Sequence, residues 1–129
     1  MIKMRINTFS IYVLKLIQDK YYIGKTYKDI TQRFTQHKKG LGAEWTKLYK
    51  PVGMIEFFQT TDKFQEDLST KKYMERYGIE NVRGGSYTKI NLNDYQLRAL
   101  EIEFRTANDL CFKCGITGHF ASECKNFYT

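Results

Sequence analysis

Tyr12 and Tyr22 stand ten residues apart, Arg33 and His37 four, and Cys111, Cys114, His119 and Cys124 follow one another as C-x2-C-x4-H-x4-C. These types at these spacings point to two chemistries. Two phenols beside a guanidinium and an imidazole can surround a phosphate: the planar cation matches the phosphate oxygens, and the phenols and imidazole can hold or move protons. Three thiolates and one imidazole make a closed tetrahedral zinc site. A segment that short has no core of its own and must draw its folding energy from the metal. Gly115 and Gly118 allow the chain to turn tightly around the ion.

The first group needs elements that bring it together. Ile11–Ile17 and Lys20–Gly24 are rich in branched and aromatic residues and are separated by a polar Gln18-Asp19 break, the pattern of a β-hairpin, which sets Tyr12 and Tyr22 on paired strands. Beyond Gly24 the period lengthens from two to nearly four. Asp29 followed by Gln32 marks a helix start, and on that helix Arg33 and His37 share one face. Gly40 is a helix stop, Leu41–Pro51 reads as a loop and Val52–Phe58 as a third strand.

Thr60–Tyr77 reads as a second helix, capped by Thr61 or Asp62 and stopped at Gly78. Phe64 and Leu68 share one side of it, and Glu66, Thr70, Tyr73 and Tyr77 the other, so Glu66 is a carboxylate on a semi-polar aromatic face. Glu75 lies about half a rotation away at ~100° per residue, where a solvated charge belongs. Asn81–Tyr87 contains the pair Gly84-Gly85, which permits either close approach to a ligand, with Arg83 as the contact, or an ordinary turn. Asn93–Asn108 is a third helix with Leu97, Leu100 and Phe104 on a packing stripe.

With 129 residues the chain has room for one compact domain and a small appendage. Its net charge of +7 and 16% aromatic content favour nucleic acid over a membrane surface as the partner. No apolar run approaches the ~18 residues of a spanning helix, and the N-terminus lacks the pattern of a secretory signal, so an intracellular setting is expected: nucleus, cytoplasm or the replication compartment of a DNA virus. Three cysteines in one window argue for metal rather than disulfides.

At these residues the sequence resembles the GIY-YIG nuclease superfamily. Ile11-Tyr12, Tyr22-Ile23-Gly24, Arg33 and His37 occupy the places of its signature, and Ser10 stands where the first glycine usually is. The stretch Gly40–Lys47, with Pro51 and Met54, looks like the glycine-rich, Thr-containing loop and following strand of the branch that cuts branched or structured DNA. The resemblance spans Ile11 to Tyr87. It implies an α+β fold, a small three-stranded mixed sheet flanked by helices over residues 10–90. Residues 1–9 form an arm before it. A packing helix and connection (91–109), a zinc knuckle (110–125) and a tail (126–129) follow.

The same resemblance implies catalytic roles for Tyr12, Tyr22, Arg33 and His37. It also implies a single glutamate as the protein ligand of a catalytic Mg²⁺ or Mn²⁺, which is assigned to Glu66. Asp67 and Glu75 are the alternatives, and counting back from Tyr77 places the ligand position at Thr70. Tyr12 is the general base toward water. A free tyrosine has a pKa near ~10, so it needs cationic surroundings, for which Arg33, Lys25 and the metal stand ready. Lys25 reads either as a phosphate contact or as a surface lysine, and Asn81 matches an Asn that closes the site in some members. The C-terminal segment is similar to zinc knuckles of retroviral-nucleocapsid type, whose aromatic and basic insertions, here Phe112, Lys113 and Phe120, stack on unpaired bases. The function expected is a metal-dependent DNA endonuclease acting on branched or single-stranded DNA, with structural Zn²⁺ in the knuckle. The alternatives are a nuclease-fold protein that binds single-stranded DNA or RNA without cutting, and an RNA-processing factor driven by the knuckle.

Overall fold

The computed structural model describes residues 8–111, 113–119 and 121–124. The chain divides after Asn91 into two compact units. The first contains a four-stranded mixed sheet in the order β3-β1-β2-β4, with β1 Phe9–Leu16, β2 Lys20–Thr26, β3 Pro51–Thr60 and β4 Val82–Gly84. The three-stranded sheet expected from the sequence is therefore one strand short. Strand β4 has only three residues and runs into the Gly84-Gly85 pair, too short a stretch to show a period of two. It pairs parallel to β2, with Tyr21, Tyr22 and Ile23 opposite Val82, Arg83 and Gly84.

β1 and β2 form the hairpin. A three-residue connection, Ile17–Asp19, holds Gln18 and Asp19 in the left-handed region at φ 60° and 55°. Register follows from it: Leu14 lies opposite Tyr22 and Tyr12 opposite Gly24. On the other side Tyr12 faces Phe57 of β3. Side chains alternate along a strand, so Tyr12, Leu14, Leu16 and Tyr22 share one face. They pack with Trp45 into a core bordered by Ile30, Phe34, Tyr49 and Met54. Ile11, Val13 and Ile23 fill the other face and are fully buried.

Helix α1, Ile30–Lys38, begins as its sequence predicts, with the Asp29 carboxylate accepting the N–H groups of Thr31 and Gln32 at 2.8 and 3.3 Å. The stretch read as a loop, Leu41–Pro51, contains a short helix α2, Glu44–Leu48, which no side chain caps. Its five residues are too few to show a period, and it is held by burial of Trp45 and Thr46. Helix α3 is Gln65–Tyr77 and starts later than the expected Thr60, because Asp62 spends its carboxylate on the Phe64 N–H ahead of the helix. Gly78 ends it at φ 99°. Phe64 and Leu68 point to solvent, while Ser69, Thr70 and Met74 are buried. The inward face thus joins two small hydroxyl residues to Met74, and it packs on β2 and β4, with Tyr77 stacked on Tyr21 at 4.2 Å.

The second unit carries helix α4, Asp94–Ala107, capped by the Asn93 side chain on the Gln96 N–H at 2.8 Å. Leu100 is its buried residue. A bridge between Leu110 and Thr117 then closes the base of the Cys/His segment. No helix among the described residues is long and apolar enough to cross a membrane.

Candidate active site

Tyr12 sits on the central strand at 0% exposure, and its ring passes over Gly24 of the neighbouring strand. A Cβ at Gly24 would collide with the Tyr12 hydroxyl, so a glycine in that register place is a condition for the tyrosine's position. The hydroxyl lies 2.8 Å from Nε2 of His37 and accepts from Nε–H of Arg33 at 3.3 Å. One helical turn on α1 separates the two partners, so both reach the same phenol. A second hydrogen bond holds Arg33, from Nη1 to the Gln36 side chain at 2.9 Å.

His37 is buried, and its Nδ1 lies 2.9 Å from Oγ of Thr46. The Thr46 hydroxyl donates its own hydrogen to the Ala43 carbonyl at 2.9 Å, which leaves its oxygen as the acceptor. Nδ1 therefore carries the hydrogen, Nε2 presents a lone pair, and Tyr12 donates into it. Burial, and then the charge of Arg33, lowers the imidazole pKa to about 4, so the ring is neutral at physiological pH. Gly42 completes the cradle, since a Cβ there would run into the His37 ring. The sequence placed Thr46 in a Thr-containing loop without a role. A hydroxyl nine positions from a histidine, across a helix end, leaves no periodic trace.

Tyr22 lies beside this pair, its ring 6.3 Å from Tyr12 and 5.1 Å from His37. Burial raises its phenol pKa, Tyr12 and Glu66 raise it further, and Arg33 opposes them. Burial likewise raises Tyr12, against the hydrogen bond and charge of Arg33, so both phenols are protonated at neutral pH. Glu66 is half-buried at the sheet edge. β4 ends opposite Ile23, and Lys25 follows two residues further along β2. Burial raises this carboxyl's pKa, and the Lys25 charge opposes that shift. Tyr12, Tyr22, Arg33, His37 and Glu66 are thus brought into one neighbourhood.

The other carboxylates weighed from the sequence lie elsewhere or are engaged. Asp67 accepts both the N–H and the O–H of Ser86 at 2.7 Å and pins the Gly84-Gly85 turn. Glu75 is exposed further along α3. Thr70 is buried and donates to the Glu66 carbonyl at 2.8 Å. Asn81 is tied to Lys20 at 2.6 Å and to the Tyr77 carbonyl at 2.7 Å, which fixes the end of α3 rather than the site.

Of the expected nucleic-acid contacts, Lys25 is exposed, with Nζ 5.5 Å from the Phe9 ring centroid, and Lys113 is exposed on the Cys/His segment. Arg83 is a correction. It is 4% exposed, gives four of its five hydrogens to the carbonyls of Ile79, Val82, Lys89 and Ile90, and stacks on Trp45 at 4.7 Å. It ties the segment after β4 to the fold and presents no fork to a phosphate. Phe112 and Phe120 lie outside the described residues.

Two metal chemistries have a donor set. The ligand atoms of Cys111, Cys114, His119 and Cys124 all lie within 4.8 Å of one another, with Cys114 Sγ 3.4 Å from His119 Nε2, which suits a closed zinc site. Among the described residues no other group of three or more His, Cys, Asp or Glu side chains gathers this way. Glu66 alone offers one hard oxygen donor group. That fits an ion such as Mg²⁺, which keeps several waters and binds through one or two carboxylates plus substrate phosphate.

Residues 8–91 match the family model of the GIY-YIG catalytic domain, and residues 109–126 that of the zinc knuckle. The chain is 37% identical over 68 residues to a UPF0213 protein of Pediococcus pentosaceus, covering 53% of this chain and 68% of the relative. It is 33% identical over 72 residues to a UPF0213 protein of Listeria welshimeri, covering 54% and 79%. With the UPF0213 protein YazA of Bacillus subtilis the identity is 35% over 69 residues, covering 54% and 61%. No solved structure matches the chain.

Proposed function

Because the chain belongs to the GIY-YIG family, we propose that it is a metal-dependent endonuclease that hydrolyses phosphodiester bonds in DNA, its zinc knuckle strengthening the hold on the strand. The observation that carries this reading is the shared phenol: Tyr12 gives its hydrogen to a neutral imidazole and accepts one from a guanidinium. A structural tyrosine needs one such partner. A tyrosine that must receive a proton from water needs both, an acceptor to take its own proton and a cation to favour its anion.

In this mechanism Arg33 turns its fork to the scissile phosphate that the water on Tyr12 attacks, so the cation offsets the charge of the pentacovalent transition state and still favours the nearby Tyr12 anion. That movement also opens the Tyr12 oxygen to the attacking water. Tyr12 takes the water's proton as its own passes to Nε2 of His37, and the Nδ1–Thr46 bond keeps the imidazole in the receptive tautomer. Tyr22 orders the water or the Tyr12 ring, and Lys25 meets a flanking phosphate. Glu66 would hold a Mg²⁺ or Mn²⁺ ion, which when bound neutralises charge on the leaving oxygen. Cys111, Cys114, His119 and Cys124 hold zinc. Joining knuckle and nuclease in one chain raises affinity through effective concentration without new contacts.

The test is cleavage of supercoiled, branched and single-stranded DNA with Mg²⁺ or Mn²⁺, comparing the natural protein with Tyr12→Phe, Arg33→Ala, Glu66→Ala and Glu75→Ala. Cutting that survives Glu75→Ala and is lost in the other three supports the assignment. DNA binding without cutting on any substrate would leave a non-cutting, nucleic-acid-binding member of the fold.

A further inference from the structure

The groove beside the catalytic face is built for a planar ring. Phe57 is the residue of β3 directly opposite Tyr12, and Gln59 is opposite Ser10, so all four side chains stand on one face of the sheet. Opposed Cβ atoms are ~5 Å apart, so the two side chains leave the sheet next to each other, with the Tyr12 ring leaning over Gly24 of β2. Tyr12 and Tyr22, the other aromatic rings that the strands place on this face, are buried, whereas Phe57 is 60% exposed. It contributes little to the core from there. Its open ring lines a groove of about 570 Å³ between α1 and β3, whose other residues include Ser10, Lys28, Phe34, Met54 and Gln59.

We infer that this groove receives an unpaired nucleobase of the strand being cut, stacked on Phe57, from the nucleotide next to the phosphate at Tyr12 and Arg33. The inference rests on the nuclease reading and narrows its substrate to nucleic acid with at least one unpaired base at that place. Three features select this occupant. The walls are phenyl rings from two elements, Phe57 and Phe34, and base-on-aromatic stacking tolerates any sequence. The floor has the Ser10 hydroxyl and the rim the Gln59 amide and the Lys28 ammonium, donors and acceptors suited to a base edge and its phosphate, while the Asp29 carboxylate beside them is engaged by the first turn of α1. Phe57 lies opposite Tyr12, and Ser10 stands two residues before Tyr12 on the same strand, which sets the groove next to the phosphate site, on a chain of net charge +7. A paired base already has both faces covered by its neighbours in the duplex and cannot offer one to Phe57.

The test uses the full, zinc-loaded chain in buffer without Mg²⁺ or Mn²⁺, so that binding is read without cutting. A single-stranded oligonucleotide carrying 2-aminopurine at successive positions reports stacking by quenching. Phe57→Ala is expected to weaken binding to the single strand roughly 5- to 100-fold and to abolish quenching at one position. Phe57→Trp should keep both, and affinity for fully paired duplex should not change. Because Phe57 is exposed, an unchanged thermal midpoint should accompany these effects. Equal affinity and equal quenching in Phe57→Ala at every position would overturn the inference. So would a concentration-dependent dimer of the natural chain that Phe57→Ala dissolves, which would make this edge a self-interface. Cleavage assays on the same proteins keep the two readings apart. Cutting by the natural chain with no effect of Phe57→Ala removes the base site alone, and Phe57-dependent quenching without cutting removes the nuclease reading alone.

Discussion

Nδ1 of His37 and the hydroxyl of Thr46 lie 2.9 Å apart, and because Thr46 spends its hydrogen on the Ala43 carbonyl, this contact fixes the tautomer of the imidazole. The consequence appears on the opposite side of the ring, where Nε2 is left to accept from Tyr12. A threonine that touches no substrate thereby decides which way a proton can move. The arrangement parallels a general pattern in which the nitrogen that works is set by the bond its partner nitrogen makes.

Thr46 is a positioning residue, and its substitution should show that specifically. Thr46→Val keeps the shape and removes the acceptor, so the imidazole is no longer held with its hydrogen on Nδ1. Cleavage is expected to fall on the order of 10²-fold, the low end of what general-base catalysis supplies, and Thr46→Ser should restore most of it. Nitrogen NMR of His37 gives the independent readout: a single Nδ1–H tautomer in the natural chain and a mixture in the valine variant. Identical spectra and rates in both proteins would sink the idea.

Gly24 and Gly42 guard the same pair from two sides. A Cβ at Gly24 would meet the Tyr12 hydroxyl and one at Gly42 the His37 ring, with both side chains buried and unable to yield freely. Gly24→Ala and Gly42→Ala should each destabilise the protein by ~1–3 kcal/mol, the usual cost of overpacking, and should depress cleavage further by displacing the proton path. Gly53→Ala is the control. Nothing lies within 4 Å of a Cβ there, so chemical denaturation should show no loss of stability.

How much of this was legible in advance depended on period. Tyr12, Tyr22, Arg33 and His37 lie on elements long enough to display a period of two or of nearly four, and the family signature runs along those same elements. β4 and α2 have three and five residues and display neither. Arg83 stays open between ligand contact and turn in the sequence, because a cation beside paired glycines has the composition of either. Only the fold shows that four carbonyls and the face of Trp45 converge on it. Glu66 could be placed on a face of α3 from the sequence, but that Lys25 of β2 comes near enough for its charge to act on this carboxyl shows only in the fold.

The neutral, buried imidazole makes stability fall on acidification. The folded pKa of His37 is about 4, against an ordinary value of 6.5. As pH drops, the unfolded chain therefore binds this proton first. The stability that His37 contributes is fully present above pH ~6.5 and is lost as pH falls from there towards ~4, by ~3 kcal/mol at most. Glu66 works in the other direction, since its raised carboxyl pKa favours the folded state at lower pH. The difference between the natural chain and His37→Gln, followed by denaturation from pH 8 to 4, isolates the histidine. A difference that does not vary with pH would mean that the ring is not buried in its neutral form.

Zinc removal should act on one unit of the chain and leave the other intact. Among its described residues the Cys/His segment contains one short bridge, whereas residues 8–91 hold a sheet whose inner strands β1 and β2 are largely buried. One zinc ion per chain is expected, lost on chelation or in Cys111→Ser. Amide resonances of residues 109–126 should then collapse to unfolded positions while those of Tyr12, His37 and the sheet stay in place. Affinity for single-stranded DNA should fall at the same time, because the linked second contact that raises it has been lost. Zinc-free protein with unchanged resonances across that segment would show that the fold there does not depend on the ion. Unchanged resonances together with unchanged DNA affinity would reduce the knuckle to a cap.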